Sequence, residues 1–370
     1  APGDGGTGHG PSHAYRVASI CVEGDESGAT ALGLAPKAQL LHASHADLAV
    51  EEIGALICQA GASIAPPHAL GLAWSGPEDH HLAHVGRALA NHWADHSPHG
   101  VATLAAAGHD GPMQLRFPAS AESILAIGVC NPDGTPTPYC GTRPDLRKPE
   151  LVVQDGSYHA RISEGSIGTL NGTSASVAVA TGLAGRAAQW LLDVGLKPSP
   201  PLVRAALLAC AEPTPLPWCR ELTAGTLEAA PRGFAVSVSP PTLGGVEIEV
   251  STLDEQLDLA ICARSFERST RWSDAGVPLT VEVTGDAIET EFREEQPGSI
   301  ALTLATQPLR HATIRIQVSG HSPELAIVCR GARLNEAPRL QPRCGGPLIL
   351  GLSASHDASA CLVQDGRVRI

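Results

Sequence analysis

Ser174 closes a Gly172-Thr173-Ser174 triplet that follows a glycine-rich loop and opens a run of small and β-branched residues, SASVAVATGLAG. Glycine lets the backbone turn sharply, and the small side chains after it let a helix pack close to its neighbours. A serine at the N-terminal end of such a helix gains a partly positive environment from the aligned peptide dipoles. That suits a nucleophile whose attack builds negative charge on an acyl oxygen. The same triplet is also an ordinary helix N-cap, and alone it does not decide between the two. A second candidate is the histidine-rich run at residues 78–97, where His80 and His84 are spaced for shared metal ligation on one helix face. No carboxylate or cysteine with ligand spacing accompanies them, so a solvated face is the simpler reading and no metal or cofactor is expected.

The elements that must position Ser174 are legible as blocks. HAYRVASICV (13–22) has helical spacing of apolar residues, and residues 47–61 form a second amphipathic run. Apolar strands are expected at 68–77, 101–111 and 124–129, and a helix at 201–213. After Pro231 the texture changes to short β-prone segments, FAVSVS, GVEIEVS, LDLAICA, PLTVEVT, SIALTLA, ATIRIQVS and ELAIVC, separated by turn-forming sequence. That pattern predicts a β-sandwich.

These blocks together resemble the subtilisin-like serine peptidases (subtilases). The family's nucleophile motif is Gly-Thr-Ser-Met-Ala followed by Pro-His-Val-Ala-Gly. Gly172, Thr173, Ser174 and Gly182 match it, with Ala175, Ala178 and Val179 replacing the Met, Pro and His. Gly33, Ala35, Pro36 and Ala38 match the turn after the family's histidine helix. Ser75, Gly76 and Pro77 match the end of its substrate-pairing strand. Gly108, Asp110 and Gly111 match its Ala-Ala-Gly-Asn-x-Gly block, and Pro118, Ala119 and Gly128 match the Pro-Ala segment and strand beyond that block. KPELVVQD (148–155) and TAGTLEAA (223–230) resemble the segments before the serine and at the domain's close.

The resemblance implies an α/β fold of three layers around a mainly parallel sheet, followed by the β-sandwich. The expected division is 1–232 for the peptidase-like domain, 233–345 for the sandwich and 346–370 for a tail. Ser174 would attack a peptide carbonyl and a histidine would take its proton. Two histidines fit that place. His9 has the family's Gly-His-Gly frame, whereas His13 has the family's spacing to Val17 and Ala18. His109 replaces the asparagine that donates to the oxyanion. An imidazole N–H can also donate, and losing one such donor costs roughly 100- to 1,000-fold in turnover. Trp74, Ser75, Gly76, Gly108 and Thr173 would line the substrate groove, with a peptide or protein as substrate. The orienting aspartate belongs on a strand upstream of the histidine, but only Ala1–Gly8 precede His9 and Asp4 is the one acid among them. Its removal costs about 10,000-fold in the serine-triad archetype. A domain that binds a peptide without cleaving it therefore stands as the alternative.

The tail PLILGLSASHDASACLVQDGRVRI resembles the first hairpin of carbamoyltransferases through Leu350-Gly351-Leu352-Ser353, His356-Asp357, Ser359-Ala360 and Asp365-Gly366. It implies a fusion, and the loop-like opening at Ala1 reads as the start of a fragment or a processed form.

Composition narrows the remaining classes. The net charge of −13 with only 25 Lys and Arg argues against nucleic-acid binding. No apolar run reaches the roughly 18 residues of a membrane span. The ten cysteines are scattered and form no CxxC pair, which points to reduced, buried thiols and a cytoplasmic setting.

Overall fold

A computed structural model describes residues 11–22, 33–36, 38–39, 67–74, 76, 101–163, 166–223, 233–238, 244–263, 279–285, 289–296, 299–318, 324–342, 349–352, 360–364 and 367–369. Its first sheet is built from β1 (Ala69–Leu72), β2 (Ala102–Ala106), β3 (Leu125–Cys130), β4 (Leu151–Gln154), β7 (Glu212–Pro213) and β8 (Arg220–Leu222). These six strands lie in the order β1-β2-β3-β4-β8-β7. All neighbours run parallel except the short β7, which is antiparallel to β8. β2 and β3 are buried along their whole length, as expected of parallel strands covered on both faces. The mainly parallel sheet implied by the family resemblance is present.

Between β4 and β8 the chain forms an antiparallel hairpin, β5 (Tyr158–Ser163) and β6 (Ser166–Leu170), then helices α2 (Gly172–Asp193) and α3 (Pro200–Cys210). The small residues of α2 serve close packing. A Cβ built on Gly71 of β1 would lie 2.3 Å from Thr181 Oγ1 of α2. Gly71→Ala is therefore expected to force helix and sheet apart and cost about 1–3 kcal/mol, read as a lowered urea midpoint. Gly182 has the same function against α1 (Pro11–Val22), since a Cβ there would lie 3.0 Å from Cys21 O. The Cys21 thiol in turn donates to Ala178 O at 3.2 Å.

Two five-stranded antiparallel sheets come next along the chain. Their strands are β9 (Gly233–Val238), β10 (Gly244–Thr252), β11 (Gln256–Ala263), β12 (Leu279–Gly285), β13 (Glu289–Gln296), β14 (Ser299–Ala305), β15 (His311–Val318), β16 (Leu325–Arg330), β17 (Ala332–Leu334) and β18 (Arg339–Pro342). One sheet has the order β13-β14-β11-β16-β9, and the other runs β12-β15-β10-β17 with β18 also paired to β10. Val246, Ile248, Ile314 and Ile316 of the second sheet share a core with Leu257, Leu259, Leu302, Leu304 and Ile327 of the first.

On its outer face the first of these sheets meets α3 through Ala260, Cys262, Ala301, Ala326 and Val328, which belong to the core around the parallel sheet. β11, β14 and β16 are therefore buried almost continuously, whereas β15 alternates buried and exposed residues.

A buried ion cluster joins the parallel sheet to this face. Arg220 of β8, fully buried, donates to Asp258 Oδ1 at 3.3 Å, Thr303 Oγ1 at 2.7 Å and Ala211 O at 3.0 Å. Asp258 also accepts from Arg330 Nη2 at 2.7 Å. The last strands, β19 (Ile349–Leu352), β20 (Ala360–Gln364) and β21 (Arg367–Arg369), form a separate antiparallel sheet. Ser353, His356, Asp357 and Ser359, which carry much of the tail's resemblance, lie outside the described residues. No helix among the described residues is long and apolar enough to cross a membrane.

Candidate active site

The N-terminus of α2 sits at the carboxyl ends of β1 and β2, the side of a parallel sheet where open α/β folds bind ligands. Ser174, the third residue of α2, is half-buried and its Oγ lies 3.5 Å from Ala73 O, just past the end of β1. Thr173 is buried, and its backbone N–H donates to His109 Nε2 at 3.0 Å, just past the end of β2. The hairpin β5–β6 delivers the chain to this point. Gly172 then makes the turn with φ +70°, and a Cβ there would lie 2.9 Å from His109 Nε2. Gly172→Ala combines a left-handed backbone with that contact. It is expected to cost about 1–2 kcal/mol and to slow any reaction at Ser174, measured as the rate of phosphonate labelling.

Past the end of β1 the backbone pairs with the loop that follows β2. Gly76 N donates to Phe117 O at 2.9 Å and Phe117 N to Gly76 O at 3.2 Å. Trp74 is exposed, and its ring lies over Gly76, where a Cβ would come within 2.9 Å of it. Gly108, at φ +93°, is covered by the stem of Arg116, which is ion-paired with Asp110. Ser75 lies outside the described residues.

Of the two upstream histidines, His9 also lies outside them. His13 is the third residue of α1, partly buried. Arg16 Nη1 donates to Thr169 O at 3.2 Å, and Cys21, further along α1, meets Ala178 and Gly182 of α2. The two helices therefore run in the same sense, and the start of α1 lies at the same end as the start of α2. His80 and His84 are outside the described residues.

Two side chains near His109 escape a reading of the sequence for site residues. Tyr139 meets the His109 ring edge-on, with centroids 5.7 Å apart at 84°, and the Asp155 carboxylate lies near enough to the Tyr139 hydroxyl to act on its ionisation. Nothing in the local pattern around Tyr139 marks it, whereas Asp155 ends a block that aligns with the family. Burial pushes the Tyr139 pKa up, and the Asp155 carboxylate adds to the effect.

His109 keeps an exposed edge, but packing around the ring lowers its pKa, against the opposing pull of Asp110 and Asp155. The folded state thus favours the neutral ring. Its stabilising contribution is complete above the unfolded value of about 6.5 and is lost as pH falls through the lower folded-state pKa. Urea midpoints should fall over that window in the wild type, and His109→Asn should flatten this part of the profile. The seven described free cysteines are all buried. Burial pushes Cys21, Cys130 and Cys210 up to about 12 and Cys140 up to about 11, so a thiolate nucleophile is not available among these four near neutral pH.

A mainly parallel sheet with a small-residue helix presenting Gly-Thr-Ser at its carboxyl edge defines a subtilisin-like α/β protein. The chain belongs to the subtilase family, whose model matches residues 4–229. Among solved structures it is similar to the prenylagaramide maturation protease PagA, at 22% identity and a TM-score of 0.47, over 58% of this chain and 81% of that one. The self-cleaved protease domain of PatA matches at 19% identity and a TM-score of 0.47, over 59% and 82%. The PatG macrocyclase domain matches at 19% and 0.45, over 55% and 60%. No curated protein sequence matches the chain.

Proposed function

We propose that this chain is a serine endopeptidase of the subtilase family, with Ser174 as nucleophile, His9 or His13 as general base, and a biosynthetic precursor peptide as substrate. The observation that carries the proposal is the seat of Ser174. It lies in the first turn of a buried helix within reach of the Ala73 carbonyl, where the helix dipole favours developing negative charge. Trp74, Ser75, Gly76, Gly108 and Thr173 line the groove in this reading. Residues 1–232 form the peptidase domain, 233–345 a sandwich that braces it, and 346–370 the start of a fused carbamoyltransferase. The free, buried thiols support a reducing, cytoplasmic compartment.

The test is labelling with a fluorophosphonate probe. Wild-type protein should be labelled and Ser174→Ala should not. Loss of labelling in His9→Ala but not His13→Ala assigns the base to His9, and the reverse assigns it to His13. Absence of wild-type labelling in folded protein that includes any upstream segment overturns the peptidase reading. A second reading, a degenerate domain that holds a peptide for the fused transferase, is favoured by one observation: His109 Nε2 accepts a hydrogen bond where the family's asparagine donates one. Peptide binding without turnover, unaffected by Ser174→Ala, would support it.

A further inference from the structure

Asparagine is among the residues best suited to cap a helix, yet Asn171 at the N-cap of α2 makes no side-chain cap. The Thr173 amide, one of the donors a helix start leaves unpaired, is taken instead by His109 Nε2 at 3.0 Å. A ring nitrogen that accepts carries no proton, so the neutral imidazole holds its proton on Nδ1. Gly172 leaves room for the ring against the helix mouth, and Tyr139 meets the ring edge-on. Among the described residues the charged groups acting on it are Asp110, itself ion-paired with Arg116, and Asp155, which also acts on the Tyr139 hydroxyl.

We infer that His109 caps the nucleophile helix in place of the Asn171 side chain, a positioning residue that holds Thr173 and through it Ser174. Capping and donation to an acyl oxygen are then alternative states of one nitrogen. A proton on Nε2 ends the Thr173 hydrogen bond and places two donors, the ring N–H and the freed amide, at the mouth of α2. This second consequence rests on the peptidase reading; the cap itself does not.

The test uses the full chain labelled with nitrogen-15 at histidine and threonine, read by NMR as pH is lowered. At neutral pH the His109 proton should be on Nδ1, and the Thr173 amide should exchange slowly. The protection factor of the Thr173 amide, its exchange relative to the intrinsic rate at the same pH, should fall at least about tenfold as the ring becomes protonated, which is the loss of about 1.4 kcal/mol of protection. His109→Ala should give low protection at every pH. His109→Asn, which can accept but does not titrate, should keep the protection without the pH step. A neutral ring protonated on Nε2, or a Thr173 amide indifferent to ring protonation and to His109→Ala, overturns the inference. None of these readouts needs turnover, so an inactive protein still tests the cap. A phosphonate-reactive Ser174 beside an Nε2-protonated neutral ring would overturn the cap and leave the peptidase reading standing.

Discussion

Replacing Ser174 with alanine is expected to lower peptide-bond hydrolysis by on the order of 10⁶-fold where an aspartate orients the histidine, and by about 100-fold where none does, while leaving the fold intact. Loss of the nucleophile of a complete serine triad has the larger of these effects on turnover, because the remaining groups of the catalytic unit cannot act without it. Among the described residues the half-buried Ser174 hydroxyl has one hydrogen-bond partner, Ala73 O at 3.5 Å, so it contributes little to stability. The variant should keep its stability within about 0.5 kcal/mol of the wild type. The measurement is single-turnover cleavage of a precursor peptide, with a urea curve recorded on the same sample. An unchanged rate would show that the activity resides elsewhere. A parallel loss of rate and stability would show that Ser174 acts as a helix-terminus residue.

The second large effect lies far from Ser174. Asp258→Ala should destabilise the protein by about 3–5 kcal/mol, because it takes away the carboxylate to which the fully buried Arg220 donates. Against a typical total of about 5–15 kcal/mol, that is enough to move the unfolding midpoint severely. Arg330 is protected from the same fate by Glu212, which accepts from it at 2.9 Å. Exchanging the pair for apolar residues, Arg220→Met with Asp258→Leu, should cost far less than Asp258→Ala alone, since both desolvated charges are then gone. Urea denaturation of the wild type and both variants gives the comparison. A single-mutant cost below about 1 kcal/mol would show that water reaches the cluster. The α3 residues Ala205, Leu207 and Leu208 belong to the core that also holds Ala260 and Val328. The parallel sheet and the sandwich should therefore unfold in one transition.

Elements with a strong local signal are legible in the chain itself. FAVSVS, LDLAICA and SIALTLA appear as β9, β11 and β14, and HAYRVASICV as the body of α1. β13, ETEFREEQ, gives no such signal, because a charged edge strand with Phe292 as its single large apolar residue lacks the alternation that marks a half-buried strand. The hairpin β5–β6 is silent for a related reason, since its strands are short and mixed in character.

Residues adjacent in the chain were enough to set the order of the elements and to place Ser174 at the start of a small-residue helix. The causes are local: a glycine that permits the turn, and side chains small enough to pack. Folding in three dimensions was needed to pair β8 with β4 across α2 and α3. It was needed also to bury one sheet of the sandwich twice, under the second sheet and under α3. The direction of the His109 ring is of the same kind. Whether Nε2 gives or takes a hydrogen bond depends on the Thr173 amide, 64 residues further along the chain. Residue type offers an imidazole both roles, and the fold selects one by what it brings to the nitrogen.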